Sequence, residues 1–196
     1  MPGQAEDAKD RKGFCNRTRN LKLETRNCFL KLEISFMPAD TQSRTAVARI
    51  QEMLEQAFEG GAWHGPALME LLQDIHVDHA AAKPIAHAHS IWEIALHIAA
   101  WQEAVLKRLN GEAVDLTGDQ DWPPVSDNSE RAWAETIQSL KNGHKKLVQK
   151  VSALTDADLP NKVPGRDHTT YYTLHGLIQH NLYHAGQIAI LKKSER

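Results

Sequence analysis

From residue 40 onward, apolar residues recur every three or four positions, the period of a helix with one buried face. Val47, Ile50, Leu54 and Phe58 mark a first long helix over about 43–59, stopped by Gly60-Gly61. Gly65-Pro66 opens a short helix carrying Leu68, Leu71 and Leu72, with Pro66 at the permissive first position. A further turn over 77–82 ends before Pro84. Ser90-Ile91-Trp92-Glu93 has the S-x-x-E form of a capping box and starts a second long helix that reaches Leu109 and stops at Asn110-Gly111. Residues 112–128 read as an acidic loop holding Trp122-Pro123-Pro124. A third long helix begins near Ser129 with Trp133, Ile137, Leu140, Leu147, Val151 and Leu154. One more turn follows over 155–159, then a loop over 161–170 with Pro164-Gly165. The fourth long helix runs from about Thr170 to Lys193, whose lysine pair suits the negative end of the helix dipole. Four long helices joined by loops predict an all-α protein, an antiparallel four-helix bundle over residues 37–196.

Residues 1–36 break this pattern. Leu21, Leu23, Leu30, Leu32 and Ile34 alternate locally, but no second convincing strand exists to pair with them. The segment holds eight Lys/Arg against five Asp/Glu, about +3, while the remaining 15 against 20 leave about −5. It reads as a basic, disordered N-terminal extension, and Met37-Pro38-Ala39-Asp40 beyond it reads as a start of translation. The competing reading, a basic targeting segment, is weakened by the interspersed acidic residues.

Composition narrows the function. The 196 residues carry a net charge of −2, which excludes a protein that grips nucleic acid through its overall charge. The two cysteines, Cys15 and Cys28, make neither a disulfide-rich scaffold nor a CxxC zinc site. No apolar run is long enough to span a membrane and no signal-peptide core is visible, so the expected location is cytoplasmic. The unusual feature is eleven histidines. Histidine is the commonest metal ligand.

Helical phase sorts them. His180 and His184 stand four apart on one face of the fourth long helix, at the edge of its apolar stripe. Two imidazoles turned into a bundle need partners for their nitrogens, either hydrogen bonds or a shared metal. His97, two turns into the second long helix among Ile94, Ile98 and Trp101, supplies a third imidazole from a facing helix. Three neutral nitrogens without a fourth protein ligand have the form of a catalytic rather than a structural site. His175 points about 140° away from His180 and packs or faces solvent. His64, His87, His89 and His168 fall in loops or at helix ends, and His76, His79 and His144 are placed at the surface.

The segments Ser90-Ile91-Trp92-Glu93…His97-Ile98-Ala99-Ala100-Trp101 and His180-Asn181-Leu182-Tyr183-His184-Ala185-Gly186-Gln187-Ile188 resemble the two helix signatures of the DinB-like superfamily. The resemblance covers residues about 43–193. It implies a bundle of the DinB and YfiT kind that holds a divalent metal such as Zn, Ni or Fe. The lone ligand of the second long helix falls on His97, and those of the fourth on His180 and His184. Some relatives transfer low-molecular-weight thiols such as bacillithiol, mycothiol or glutathione, and others have been taken for metal-dependent hydrolases.

A His-bound divalent metal with open positions lowers the pKa of bound water or thiol. Two enzymatic readings follow, a thiol S-transferase and a hydrolase, each acting on a small-molecule substrate with no nucleic acid and no membrane involved. The absence of Cys from residues 37–196 agrees with an external thiol cofactor. The alternatives are a non-catalytic metal-binding stress-response bundle acting through a dimer surface, and a metal-free core of hydrogen-bonded histidines. Glu93 and Gln187 are candidates to support the ligands, although Glu93 also completes the capping box. Tyr183 packs against another helix or a partner in a homodimer. Trp92, Trp101 and Trp133 read as core, and Trp122 as a pocket wall or lid.

Overall fold

The computed structural model describes residues 44–194. The expected N-terminal extension, with Cys15 and Cys28, lies outside the described residues. The chain is all-α. Its helices are α1 (Ala46–Phe58), α2 (Leu68–Leu72), α3 (Val77–Ala81), α4 (Ile91–Leu109), α5 (Glu130–Ser152) and α6 (Thr170–Leu191). Two single 3-10 turns, Gly118–Gln120 and Asp156–Asp158, interrupt the loops. Among the described residues there is no strand, only an isolated bridge between Lys162 and Thr169.

The long helices start where side chains satisfy their first N–H groups. Ser90 Oγ accepts from Glu93 N–H at 3.1 Å while Glu93 Oε2 accepts from Ser90 N–H at 2.9 Å, the reciprocal capping box expected there. Ser129 and Thr169 cap α5 and α6 in the simpler way. At α1 the cap is shared. Thr45 Oγ1 accepts from Ala48 N–H, and the distant Asp156 carboxylate accepts from Ala46 and Val47 N–H at 3.0 and 2.9 Å. Pro66 does not open α2 as the sequence suggests. The helix begins two residues later, and Ala67 takes the cap position, its N–H bonded to Glu70 Oε2 at 2.8 Å.

The buried apolar residues form two clusters. One joins Phe58, α2, the first halves of α4 and α5 (Ile91 to Ile98, Trp133, Leu140) and the end of α6 (Ala185 to Leu191). The other joins most of α1, Val105, Leu147, Val151 and the start of α6 (Leu174 to Ile178). α6 therefore runs against α4, but α4 and α5 run the same way, joined by a crossover over 110–129. A uniformly antiparallel bundle is corrected at that pair. Sequence period gives helices but not the direction of a helix that follows a twenty-residue connection.

A polar layer separates the two clusters. Gln102 lies between Ile98 and Val105 on α4, His144 between Leu140 and Leu147 on α5, and Asn181 between Ile178 and Ala185 on α6. All three are 2% exposed or less, and none of their side-chain N or O atoms makes a well-formed hydrogen bond among the described residues, although His144 Nε2 lies 3.8 Å from Glu59 Oε1. This overturns the surface placement of His144, which stacks on Phe58 with centroids 3.9 Å apart and planes 6° from parallel. His144 follows Leu140 and precedes Leu147 at helical spacing, and the lysines beside it in sequence mask that phase.

Candidate metal centre

α4 and α6 bring His97, His180 and His184 together. One potential ligand atom from each lies within 4.8 Å of the others. The ring centroids are 4.5 to 4.9 Å apart in every pair. His97 and His184 are buried, and His180 is half-buried.

Neighbours orient two of the rings. His97 Nδ1–H donates to the main-chain carbonyl of Asp121 at 2.6 Å, and His184 Nδ1–H donates to Gln187 Oε1 at 2.7 Å. Both bonds leave the Nε2 lone pair of the ring free. His97 Nε2 faces His180 Nε2 at 3.0 Å. His180 Nδ1 is buried without a well-formed hydrogen bond. Burial pushes the His180 pKa down to about 3, reinforced by the nearby His184 and His97, with Asn181 pulling weakly the other way. Burial also lowers His97 and His184, against the raising influence of their Asp121 and Gln187 acceptors. The rings are therefore neutral near pH 7, the state in which imidazole ligates metal. Neutral rings, lone pairs turned inward and an acceptor behind each of two ligands suit a divalent transition metal.

Trp122 covers this group. Its ring stacks on His97 at 3.8 Å and on His89 at 3.6 Å, each 8° from parallel. Asp121 Oδ1 accepts from Trp101 Nε1–H at 2.7 Å, which ties the crossover to α4. Trp122, expected as a pocket wall or lid, stacks on His97 and is not among the residues that line the cleft beside His180. The placements of Asp121 and His89 carry no sequence signal, because an irregular crossover delivers the first and the second precedes α4, stacked on Trp122 and 3.4 Å from Glu93.

Gln187 reaches the centre and Glu93 does not. The Glu93 carboxylate is taken by Ser90 N–H and by Lys83 at 2.8 Å, with His89 at 3.4 Å. Trp92 and Trp133 are core residues, with their indole N–H groups bonded to Thr136 Oγ1 and the Ile75 carbonyl, each at 2.9 Å. Trp101 departs from the core reading. It lies beside His180 at 5.8 Å and lines a cleft of about 410 Å³. His180, Arg108, Arg166 and His168 also line it. His175 packs on Tyr171 outside the group, and His64, His76 and His87 are exposed. His79 is half-buried beside the Leu191 carbonyl. Tyr183 is 66% exposed, so it packs into no helix interface of this chain.

Long helices around a divided core, with three imidazoles converging from two of them, define an all-α bundle protein with a candidate three-histidine metal centre. The chain belongs to the DinB superfamily, whose family model matches residues 62–188. That match begins after α1 and takes in all three histidines. Comparison with curated proteins and with solved structures finds no match. No helix among the described residues is long and apolar enough to cross a membrane.

Proposed function

We propose that the protein is a metal-dependent enzyme that activates a low-molecular-weight thiol for transfer to a small electrophile. The observation that carries this reading is the convergence of three neutral imidazoles, one of which, His180, lines a cleft large enough for a small molecule. His97, His180 and His184 would hold the metal, which would supply a lowered pKa for a thiol reaching it. Asp121 and Gln187 hold two rings in the ligating tautomer, and Trp122 shields one of them from water. Thiol transfer is favoured over hydrolysis because the two described carboxylates nearest the ligand helices' histidines are already hydrogen-bonded. Asp121 is bonded to Trp101, and Glu93 is bonded within its cap. A thiol needs less help than water, since its ordinary pKa is only about 8.5.

Elemental analysis of protein purified without chelator tests the centre. About one equivalent of a transition metal, absent from His180→Ala, is the expected result. No metal in the wild type, even after reloading with Zn or Ni, overturns the reading. The metal-loaded protein is then offered several thiols with a chlorinated nitroaromatic, so that sulfur bonds to carbon, chloride leaves and the thiol proton goes to solvent. Turnover no greater than that of His97→Ala removes the transferase assignment. A second reading, a non-catalytic metal-binding bundle that pairs with a copy of itself, draws on Tyr183 and Ile190, which stand 66% and 62% exposed two turns apart on α6. Sedimentation of Tyr183→Glu beside the wild type tests it.

A further inference from the structure

The cleft beside His180 carries a charge imbalance that the metal centre does not use. Arg108 and Arg166 both line it, with a single carboxylate, Asp115, for company. Asp115 is hydrogen-bonded to Arg166, and its side chain is 68% exposed. Arg108 is 5% exposed and forms no ion pair among the described residues. Its Nε and Nη2 both donate to one carbonyl, that of Val114, at 3.1 and 2.9 Å. Its guanidinium carbon lies 5.3 Å from the Trp101 ring centroid. Nη1 makes no hydrogen bond among the described residues. A largely buried guanidinium with a donor to spare, whose one nearby carboxylate, Asp115, is already engaged by Arg166, has capacity for a further anion. Burial, together with repulsion from Arg166, lowers the pKa of Arg108 against the opposing pull of Asp115, which places all three groups in one electrostatic neighbourhood.

The rest of the cleft limits what that anion belongs to. Beside the arginines and His180, the walls include Val105, Leu177 and Trp101. Two guanidiniums and one carboxylate leave a single net positive charge, which matches a monoanion better than a phosphate dianion. We propose that the cleft binds a small organic carboxylate with an apolar body, its carboxylate on Arg108 and Arg166 and its other end at His180. As a statement of substrate class this rests on the proposed centre, but the anion site itself stands on the arginines.

The test is calorimetric titration of the full-length, zinc-loaded protein with 4-phenylbutanoate, its amide and phenylphosphate. The acid is expected to bind, and the amide to bind at least about tenfold more weakly. Arg166→Gln and Arg108→Met each lose roughly tenfold or more for the acid and leave the amide unchanged. Arg166 anchors less of the fold than Arg108, so its variant keeps the test decisive if Arg108→Met misfolds. The same titration on His180→Ala separates the two readings. Acid binding that survives His180→Ala and falls in the arginine variants supports the anion site, whatever the metal does. Acid binding lost in His180→Ala but unchanged in both arginine variants means that the carboxylate ligates metal, and overturns the proposal while upholding the centre. Equal binding of acid and amide, tighter binding of phenylphosphate, or no binding of the acid also overturns it.

Discussion

The main-chain carbonyl of Asp121 accepts the Nδ1 hydrogen of His97 at 2.6 Å. The bond comes from the peptide, so residue 121 contributes position rather than side-chain chemistry. What sets that position is the crossover over 110–129, pinned by the Asp121 carboxylate on Trp101 and by Trp122 stacked on His97. His184 is oriented differently, by Gln187 less than one turn further along its own helix. The two ligands therefore differ in what a single substitution can remove.

Gln187 is the accessible handle. Gln187→Leu removes the acceptor behind His184 and frees its tautomer, so metal affinity should fall roughly ten- to a hundredfold. Gln187→Glu keeps an oxygen in place and should retain most of the affinity. Competition against a chromophoric chelator measures both. A leucine variant that holds metal as tightly as the wild type would show that the bond does not orient the ring.

The three histidines were legible because helical phase and apolar neighbours coincide at 97, 180 and 184, and the α4 start was legible because Ser90 and Glu93 stand at capping-box spacing. The support around the centre was not. Asp121 and Trp122 act from an irregular connection, where no period relates sequence position to spatial position. Arg108 lies near the end of α4, and its burial against the Val114 carbonyl depends on the connection that follows rather than on helical period. The shared direction of α4 and α5 is likewise a property of the crossover and not of either helix.

Trp92 tests the core beside the centre. Its indole N–H donates to Thr136 Oγ1, and that hydroxyl donates in turn to the Ala132 carbonyl at 2.9 Å. Thr136→Val keeps the shape and leaves a buried N–H unpaired, which should cost about 1–3 kcal/mol. Thr136→Ser keeps the hydroxyl and should lose less. Urea unfolding of the two variants, compared at equal m-value, decides. Equal losses would mean that the methyl group matters and the hydrogen bond does not.

His144 gives the protein an acid-sensitive core. Burial holds its pKa down to about 4, against about 6.5 in the unfolded chain. Between these values the unfolded state binds a proton that the folded state does not, so stability rises with pH. The contribution is complete above pH 6.5 and is lost as pH falls towards 4, on the order of 3 kcal/mol over that window. The centre histidines act in the same direction, so the difference between wild type and His144→Leu isolates this residue. The variant should show a shallower fall in melting temperature between pH 7 and 4. Parallel curves would show that His144 is protonated or solvated in the folded protein.

Gly143 and Gln102 record how closely α4 and α5 approach at the polar layer. A Cβ added to Gly143 would stand 2.9 Å from Gln102 Oε1, closer than such contacts normally come. Glycine inside a helix ordinarily costs about 1 kcal/mol relative to alanine. Gly143→Ala should therefore stabilise a helix free of neighbours, and here it should return less than that, because Gln102 is 1% exposed and has little room to yield. Gln102→Ala removes the obstruction, and its amide gives up no hydrogen bond to the described residues when deleted. In that background Gly143→Ala should recover the full gain, so the pair should show a coupling of about 1 kcal/mol in a double-mutant cycle. Additive effects would mean that the glycine answers to something other than Gln102, and that α4 and α5 have slack at this level. A coupling of the expected sign would assign the parallel contact between these helices to one side-chain amide packed on one missing methyl group.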